Sequence, residues 1–306
     1  MEGSVYVETL SKDLFNVVLK KHEMDSKTVE RDIDTILEWF ETRPHLPRKF
    51  GRRVIFSYLL VSKGSVESAK QKIDSYFTVR SKFKDIFGHS NPKDEKMLTF
   101  EKNVCCVPLP KINKDLARVM ILKVQARCDV FDPVAAFGYI YNVVDLRLRE
   151  DFCKGDHLIY DTTHIKPQHL ANCSPLFIKR MVEIVEKTLK MSVNGLHIVN
   201  APAFVVNFFN MVKPFLKPKV GNRIVFHKTL ESLYDYIDRD ILPVEYGGNE
   251  VSLDELQKKL HKAFDHYQDY YDDRDLWEVN EELRPEKIIN DDFYGYQGNF
   301  KKLDVD

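Results

Sequence analysis

No stretch of this 306-residue chain approaches eighteen consecutive apolar side chains, so no segment is expected to cross a bilayer as a helix. Cysteine is sparse: Cys105, Cys106, Cys128, Cys153 and Cys173 are odd in number and form no CxxC pair. That usage argues for reduced thiols and against both a disulfide framework and a zinc site. The first residues, MEGSVYVETLSKDLF, lack the charged-then-apolar pattern of a secretory signal. A cytoplasmic location, with peripheral and transient membrane association at most, is therefore expected. Also missing are a GxSxG elbow, a phosphate-cradling GxxxxGK loop and a GxGxxG after a strand. Internal repeats and low-complexity tracts are absent as well.

An excess charge of one sign is lacking too. Lys and Arg number 46 against 47 Asp and Glu, a net of −1, which leaves no whole-chain field to draw nucleic acid. The balance hides an asymmetry, because residues 249–306 hold 8 basic against 16 acidic groups and the remainder 38 against 31. What is present is the composition of an ordinary globular protein, 43% hydrophobic and 30% charged.

The first eighty-odd residues read as helices. Val29, Ile33, Ile36, Leu37 and Phe40 recur at helical spacing until RPHLP (43–47) stops them. A short apolar segment runs from Val54 to Val61, and Ser65 is placed to cap a helix with Val66, Ala69, Ile73 and Phe77 on one face. After the polar linker GHSNPKDEK (88–96) the rhythm changes. ARVMILKV (117–124), HLIYD (157–161), GLHIVN (195–200) and RIVFHK (223–228) are strand candidates. Helical patterns at 133–144 and after Ser174-Pro175 lie between them, which argues for an α/β sheet. Ser252-Leu-Asp-Glu255 is a capping box opening a further helix, and beyond Tyr271 the pattern fades into acidic and aromatic residues. Three parts are expected: a helical module over 1–87, an α/β domain over 88–248, and an acidic C-terminal helix and tail over 249–306.

AFVVNFFNMVKPFL (203–216) is the least ordinary segment. Wound as a helix, its polar Asn207, Asn210 and Lys213 form one narrow stripe, and the rest is large and apolar. Such a helix is either buried on nearly all sides or faces an apolar guest. Pro214 is expected to end or kink it near its last turn. Lys213, Lys217, Lys219 and Arg223 edge it. Each cation near an anionic membrane is worth about 1 kcal/mol, so four give roughly 4 kcal/mol, enough for transient docking.

The stretch GLHIVNAPAFVVNFFNMVKPFLKPKVGNRIVFH, followed by ILPVEYGG (241–248), resembles the signature end of CRAL-TRIO proteins. The likeness is to the insect branch related to the α-tocopherol transfer and retinaldehyde-binding proteins. RPHLP, SYFTVRSKF (75–83), VPLPK (107–111) and VMILKV (119–124) extend it upstream. The resemblance implies a helical module packed on a mixed sheet, an apolar pocket, and a gate helix over it at 203–216. It implies a small hydrophobic ligand such as a tocopherol, retinoid, carotenoid or related isoprenoid, no cofactor, no metal and no catalysis. By position in this frame the pocket draws on Phe137, Tyr141, Asn142, Tyr160, Met181, Ile184 and Val185. Leu189, Leu196, Ile198, Phe204, Phe208, Phe209 and Val212 complete it, with Asn142 and Tyr160 as the polar contacts. Lys213, Lys217, Lys219 and Arg223 are the membrane or phosphate contacts. The resemblance to the tocopherol-transfer branch implies phosphoinositide-binding cations just before the GLH strand, but this chain has the neutral Ser192 and Asn194 there, while Lys219 and Arg223 match basic positions downstream.

Asp161, His164 and His197 at strand ends form no recognisable catalytic set, and the spacing of His157, His164 and His169 fits no metal site. Such histidines are expected to satisfy backbone groups or face water. A second functional reading is a lipid-responsive regulatory or scaffolding module, with YYDDRDLWEVNEEL (270–283) docking a protein partner.

Overall fold

The computed structural model describes residues 4–9, 11–153, 155–189 and 192–286. The last twenty residues of the expected tail lie outside the described residues. Helices α1 (Lys12–Lys21), α2 (Ser26–Glu41), α3 (Arg52–Val61) and α4 (Val66–Lys82) form the N-terminal part, followed by α5 (Lys84–Phe87) and α6 (Glu95–Asn103). Their starts are set locally. The Asp25 carboxylate accepts from Lys27 and Thr28 N–H, the Ser65 hydroxyl from Ser68, and the Asp94 carboxylate from Lys96. Helix α6 was not anticipated; it begins inside what reads as a polar linker.

The chain then enters β1 (Val104–Ile112), β2 (Ala117–Val124), α7 (Pro133–Glu150), β3 (Gly155–Asp161), α8 (Pro167–Ala171) and α9 (Pro175–Thr188). After these come β4 (Val193–Val199), α10 (Ala203–Val212), α11 (Pro218–Gly221) and β5 (Ile224–His227). The strands lie side by side in chain order; β1 is antiparallel to β2, and β2 to β5 are parallel. Because parallel crossovers share one hand, sequential order puts α7, α9 and α10 on the same face. Strand β1 is an edge strand, which accommodates Pro108 and Pro110 where a central strand would not. Its outer side is covered by the N-terminus, whose Tyr6 hydroxyl donates to the Pro108 carbonyl and whose Glu8 N–H donates to that of Pro110.

The opposite face is covered by residues 229–246, and α12 (Leu253–His266) packs along the edge strand β1 and reaches α7, with Leu253, Leu256, Leu260 and Phe264 buried. Helix α13 (Gln268–Asp275) continues the chain back across α7. Tyr271 is fully buried, and Trp277 packs at 5.9 Å from Phe50 and 5.2 Å from Phe77 in the helical part. Arg274 pairs with Asp145 of α7 at 2.7 Å with no side-chain exposure on either partner. The aromatic residues of 270–283, read as a candidate partner-docking segment, pack against the protein's own core. Only Leu276 and Leu283 there remain large, apolar and exposed.

Candidate functional site

Alternation along the parallel strands sends Met120, Leu122, Leu158, Tyr160, Leu196, Ile198, Ile224 and Phe226 to the face that meets α10. In a sheet covered on that side these residues would be as buried as Ile121, Ile159 and His197 on the other side, which are inaccessible. Met120, Leu196 and Ile198 are buried, Ile198 completely. Leu122, Leu158, Tyr160, Ile224 and Phe226 keep partial exposure, as do Phe204, Phe208 and Phe209 on the helix opposite.

The helix is attached to the sheet by few contacts. Val205 and Val212 are buried, while Phe209 meets Tyr160 and Phe226 edge-on, each at 6.0 Å. Its entry is a fixed corner: Asn200, at φ 58°, donates to Asp161 at 3.1 Å and to the Thr163 hydroxyl at 2.9 Å. Its exit is the proline expected from sequence, with α10 stopping at Val212 and a single 3₁₀ turn over Lys213–Phe215.

Of the fourteen residues expected to line one pocket, twelve fall into two groups, and Asn142 and Val212 belong to neither. Tyr160, Leu196, Ile198, Phe204 and Phe209 come together beneath α10, with Phe208 beside Phe209. Phe137, Tyr141, Met181, Ile184, Val185 and Leu189 instead pack with the N-terminal helices, as in the 5.1 Å contact of Tyr141 with Phe87. The Tyr141 hydroxyl is occupied, 2.6 Å from that of Thr188. Asn142, expected to offer a ligand its amide, is turned elsewhere: its Oδ1 accepts from Arg274 at 2.8 Å. Burial pushes the Tyr160 phenol up to about 12, so it is neutral and able to donate. Sequence reasoning missed Leu158, Ile165, Leu170, Ile224 and Phe226, which pack in the α10 group. For Leu158, Ile224 and Phe226 the signal was available in the alternation of HLIYD and RIVFHK.

Around the end of α10 lies a cleft of about 540 Å³ between α1, α3, α7 and the segment that holds α11. Lys217, Lys219 and Arg223 line it, joined by Lys21, His22 and Lys63 from the helical part and by Ser192 and Asn194. Lys213 does not line it. Lys217 pairs with Glu186 at 3.2 Å, and Arg223 donates to the Val193 carbonyl. Lys213 and Lys219 are exposed and have no ion pair among the described residues. Deeper in the cleft Arg147 is neutralised by Asp151 at 3.0 Å and Asp156 at 2.6 Å. Burial alone would raise the Asp151 carboxyl, but Arg118 and Arg147 outweigh it and hold it well below the usual range.

The polar groups at strand ends are committed structurally. Asp161 accepts from Thr163, Asn200 and the Tyr246 hydroxyl and pairs with Lys123 at 3.1 Å. His169 accepts the Lys166 N–H at one ring nitrogen and meets the Cys128 carbonyl with the other. No helix among the described residues is long and apolar enough to cross a membrane, and none of their His, Cys, Asp and Glu clusters is placed to hold a metal ion.

Residues 134–248 match the family described as the CRAL/TRIO domain, and residues 25–97 match one described as the Pinta-like UBA domain. The alpha-tocopherol transfer protein-like protein of Mus musculus is 22% identical over 81% of this chain and 74% of its own length. Clavesin-1 of Xenopus laevis is 25% identical over 72% and 68%, and clavesin-2 of Homo sapiens 23% over 86% and 80%. Among solved structures, that of Sfh5 aligns with a TM-score of 0.47 and 12% identity, covering 76% of this chain and 92% of that one.

Proposed function

Given that this chain belongs to the CRAL-TRIO family through residues 134–248, a family of lipid-binding proteins, we propose that it carries one small hydrophobic molecule between membranes in the space beneath α10. The observation that supports this most is the incomplete burial of Leu158 and Tyr160 on the central strand β3, opposite an equally incompletely buried apolar helix. Apolar surface left accessible inside a fold is unfavourable by about 25 cal/mol per Å², and a guest removes that cost. The lining is almost wholly apolar, with Tyr160 as the one phenol. That suits a single-chain or ring lipid such as a tocopherol, retinoid, carotenoid or related isoprenoid, held by shape and a single hydrogen bond.

Transfer calls for a membrane encounter. Met211 on α10 and Leu176 at the start of α9 are exposed at 43% and 77%, and Lys213 and Lys219 stand beside the gate. In this reading α10 swings outward on the Asn200 corner and the proline turn, Met211 enters the lipid, and the cations engage anionic headgroups. The cleft bearing Lys219 and Arg223 is where a phosphorylated headgroup would sit.

A second reading is a module in which bound lipid signals to a protein partner. It draws on the match of residues 25–97 to the Pinta-like UBA domain. Extracting the purified protein with organic solvent discriminates between the two. Stoichiometric recovery of one lipid class supports a carrier, and a folded but empty protein supports the signalling module.

A further inference from the structure

Behind the gate, on the other face of the same strands, three imidazoles form a diagonal ladder. His157 Nδ1 lies 3.0 Å from His197 Nε2, and His197 Nδ1 lies 2.9 Å from His227 Nε2. The ladder ends in defined groups: His157 Nε2 is 3.0 Å from Asp115 Oδ2, and His227 Nδ1 is 2.8 Å from the Ser232 hydroxyl. That hydroxyl is also 2.8 Å from the Thr229 carbonyl. Gly195 makes the ladder possible, because a Cβ at this position would overlap His197 Nε2 and stand 2.8 Å from His157 Nδ1. All three rings are buried, His197 completely.

Hydrogen counting fixes how this chain of groups can be protonated. The Asp115 carboxylate only accepts, so His157 Nε2 carries a hydrogen. With no added proton His157 Nδ1 is then bare, and His197 and His227 must each hold their hydrogen on Nε2. Ser232 must donate to His227, leaving the Thr229 carbonyl without it. One added proton reverses every link beyond Asp115. His157 becomes doubly protonated, His197 and His227 move their hydrogens to Nδ1, and Ser232 turns to Thr229. A second added proton has no place, since it would set two N–H groups against each other in a buried gap.

We propose that Asp115, His157, His197, His227 and Ser232 act as a one-proton switch, in which uptake of a single proton inverts the hydrogen-bond direction across β3, β4 and β5. The charged form gains an ion pair at Asp115 and one more bond at Thr229, where the chain leaves β5. Strand β5 also carries Ile224 and Phe226 on its other face, toward α10, so the switch acts on a strand that both faces share. The surroundings favour a single charge. Asp115 is held as an anion, its His157 and Asn194 bonds outweighing burial. Asp235 and Tyr236 approach from the segment after β5, the Tyr236 ring at 5.0 Å from His197 and 5.7 Å from His227. The nearby ions Lys114 with Asp238, and Lys123 with Asp161, are paired to each other. This inference rests on the ladder's geometry and not on the cargo reading.

Long-range ¹H–¹⁵N spectra of the histidine-labelled full chain between pH 8 and 5 test it. The expected result is one midpoint at which His157 becomes doubly protonated while His197 and His227 exchange Nε2–H for Nδ1–H and stay neutral. Retention of Nε2–H by either ring through that midpoint, or two imidazolium rings in the folded protein, would overturn the proposal. Asp115→Asn is expected to move the midpoint down by at least about one pH unit, since the carboxylate opposite His157 is lost; an unmoved midpoint contradicts the role given to Asp115.

Discussion

The Tyr160 ring on β3 and the Phe209 ring on α10 meet nearly edge-on, 6.0 Å apart at 69°, and neither is fully buried. Helix α10 meets the sheet through the buried cluster of Val205, Leu196 and Ile198 and through these aromatic edges. An aromatic contact of that kind contributes about 0.5–1.5 kcal/mol beyond the area it covers, small enough for the proposed gate to break and remake it.

Phe208→Asp is expected to abolish loading while leaving the circular dichroism spectrum near that of the parent. Placing an unpaired polar group against an apolar guest costs about 2–3 kcal/mol, which weakens binding by roughly thirtyfold or more. Co-purified lipid per mole of protein is the readout.

Combined replacement of Lys213 and Lys219 by Gln is expected to slow transfer to anionic vesicles and spare binding of the ligand in solution. Two cations at about 1 kcal/mol each correspond to roughly a thirtyfold loss of vesicle affinity, and less at high salt. Arg223 is a poorer probe, because its guanidinium also holds the Val193 carbonyl at the start of β4.

Arg274→Ala is expected to destabilise the fold by about 3–5 kcal/mol, since it leaves Asp145 charged, buried and without its partner. Leu276→Ala, at a side chain 81% exposed, is expected to change stability by less than about 0.5 kcal/mol. Urea midpoints of the two variants measure the contrast and test whether the C-terminal segment clamps the helical part to α7.

Stability is expected to fall on mild acidification. Burial, then the neighbouring His157 and His227, hold His197 down to about 3, and burial also lowers His227. Both rings bind protons more readily when the chain is unfolded, so the stabilisation is complete above the unfolded value near 6.5. It is lost progressively as pH falls from there toward 3. His197 alone contributes about 1.4 kcal/mol per pH unit through this window, and His227 adds to it. Urea unfolding at pH 7.5, 6 and 5 gives the slope, ahead of the range in which carboxylates titrate.

Much of this was legible in the sequence because single segments carried it. The branched apolar run ARVMILKV is β2 to the residue, and the proline in the gate marks where α10 stops. Strand β1 was not legible, since two prolines disqualify it as a central strand and only the sheet order reveals an edge. Phe137 and Tyr141 are assigned to the pocket by position in the family frame, which does not say what covers each residue of α7; here α5 and α9 do. In the C-terminal segment Phe264, Gln268, Tyr271 and Arg274 recur at helical spacing, a buried stripe masked by the acidic residues around it. The histidine ladder was hidden for a different reason. It depends on register between three strands and on a missing side chain at Gly195, and neither belongs to any one segment.

Native mass spectrometry of the protein as purified from cells bears most directly on the ligand space proposed beneath α10. The expected spectrum has one added mass of a few hundred daltons at near-unit occupancy, displaced in Phe208→Asp. A parent protein that stays at its bare chain mass, and remains so after incubation with tocopherol, retinoid and carotenoid in turn, would contradict the account.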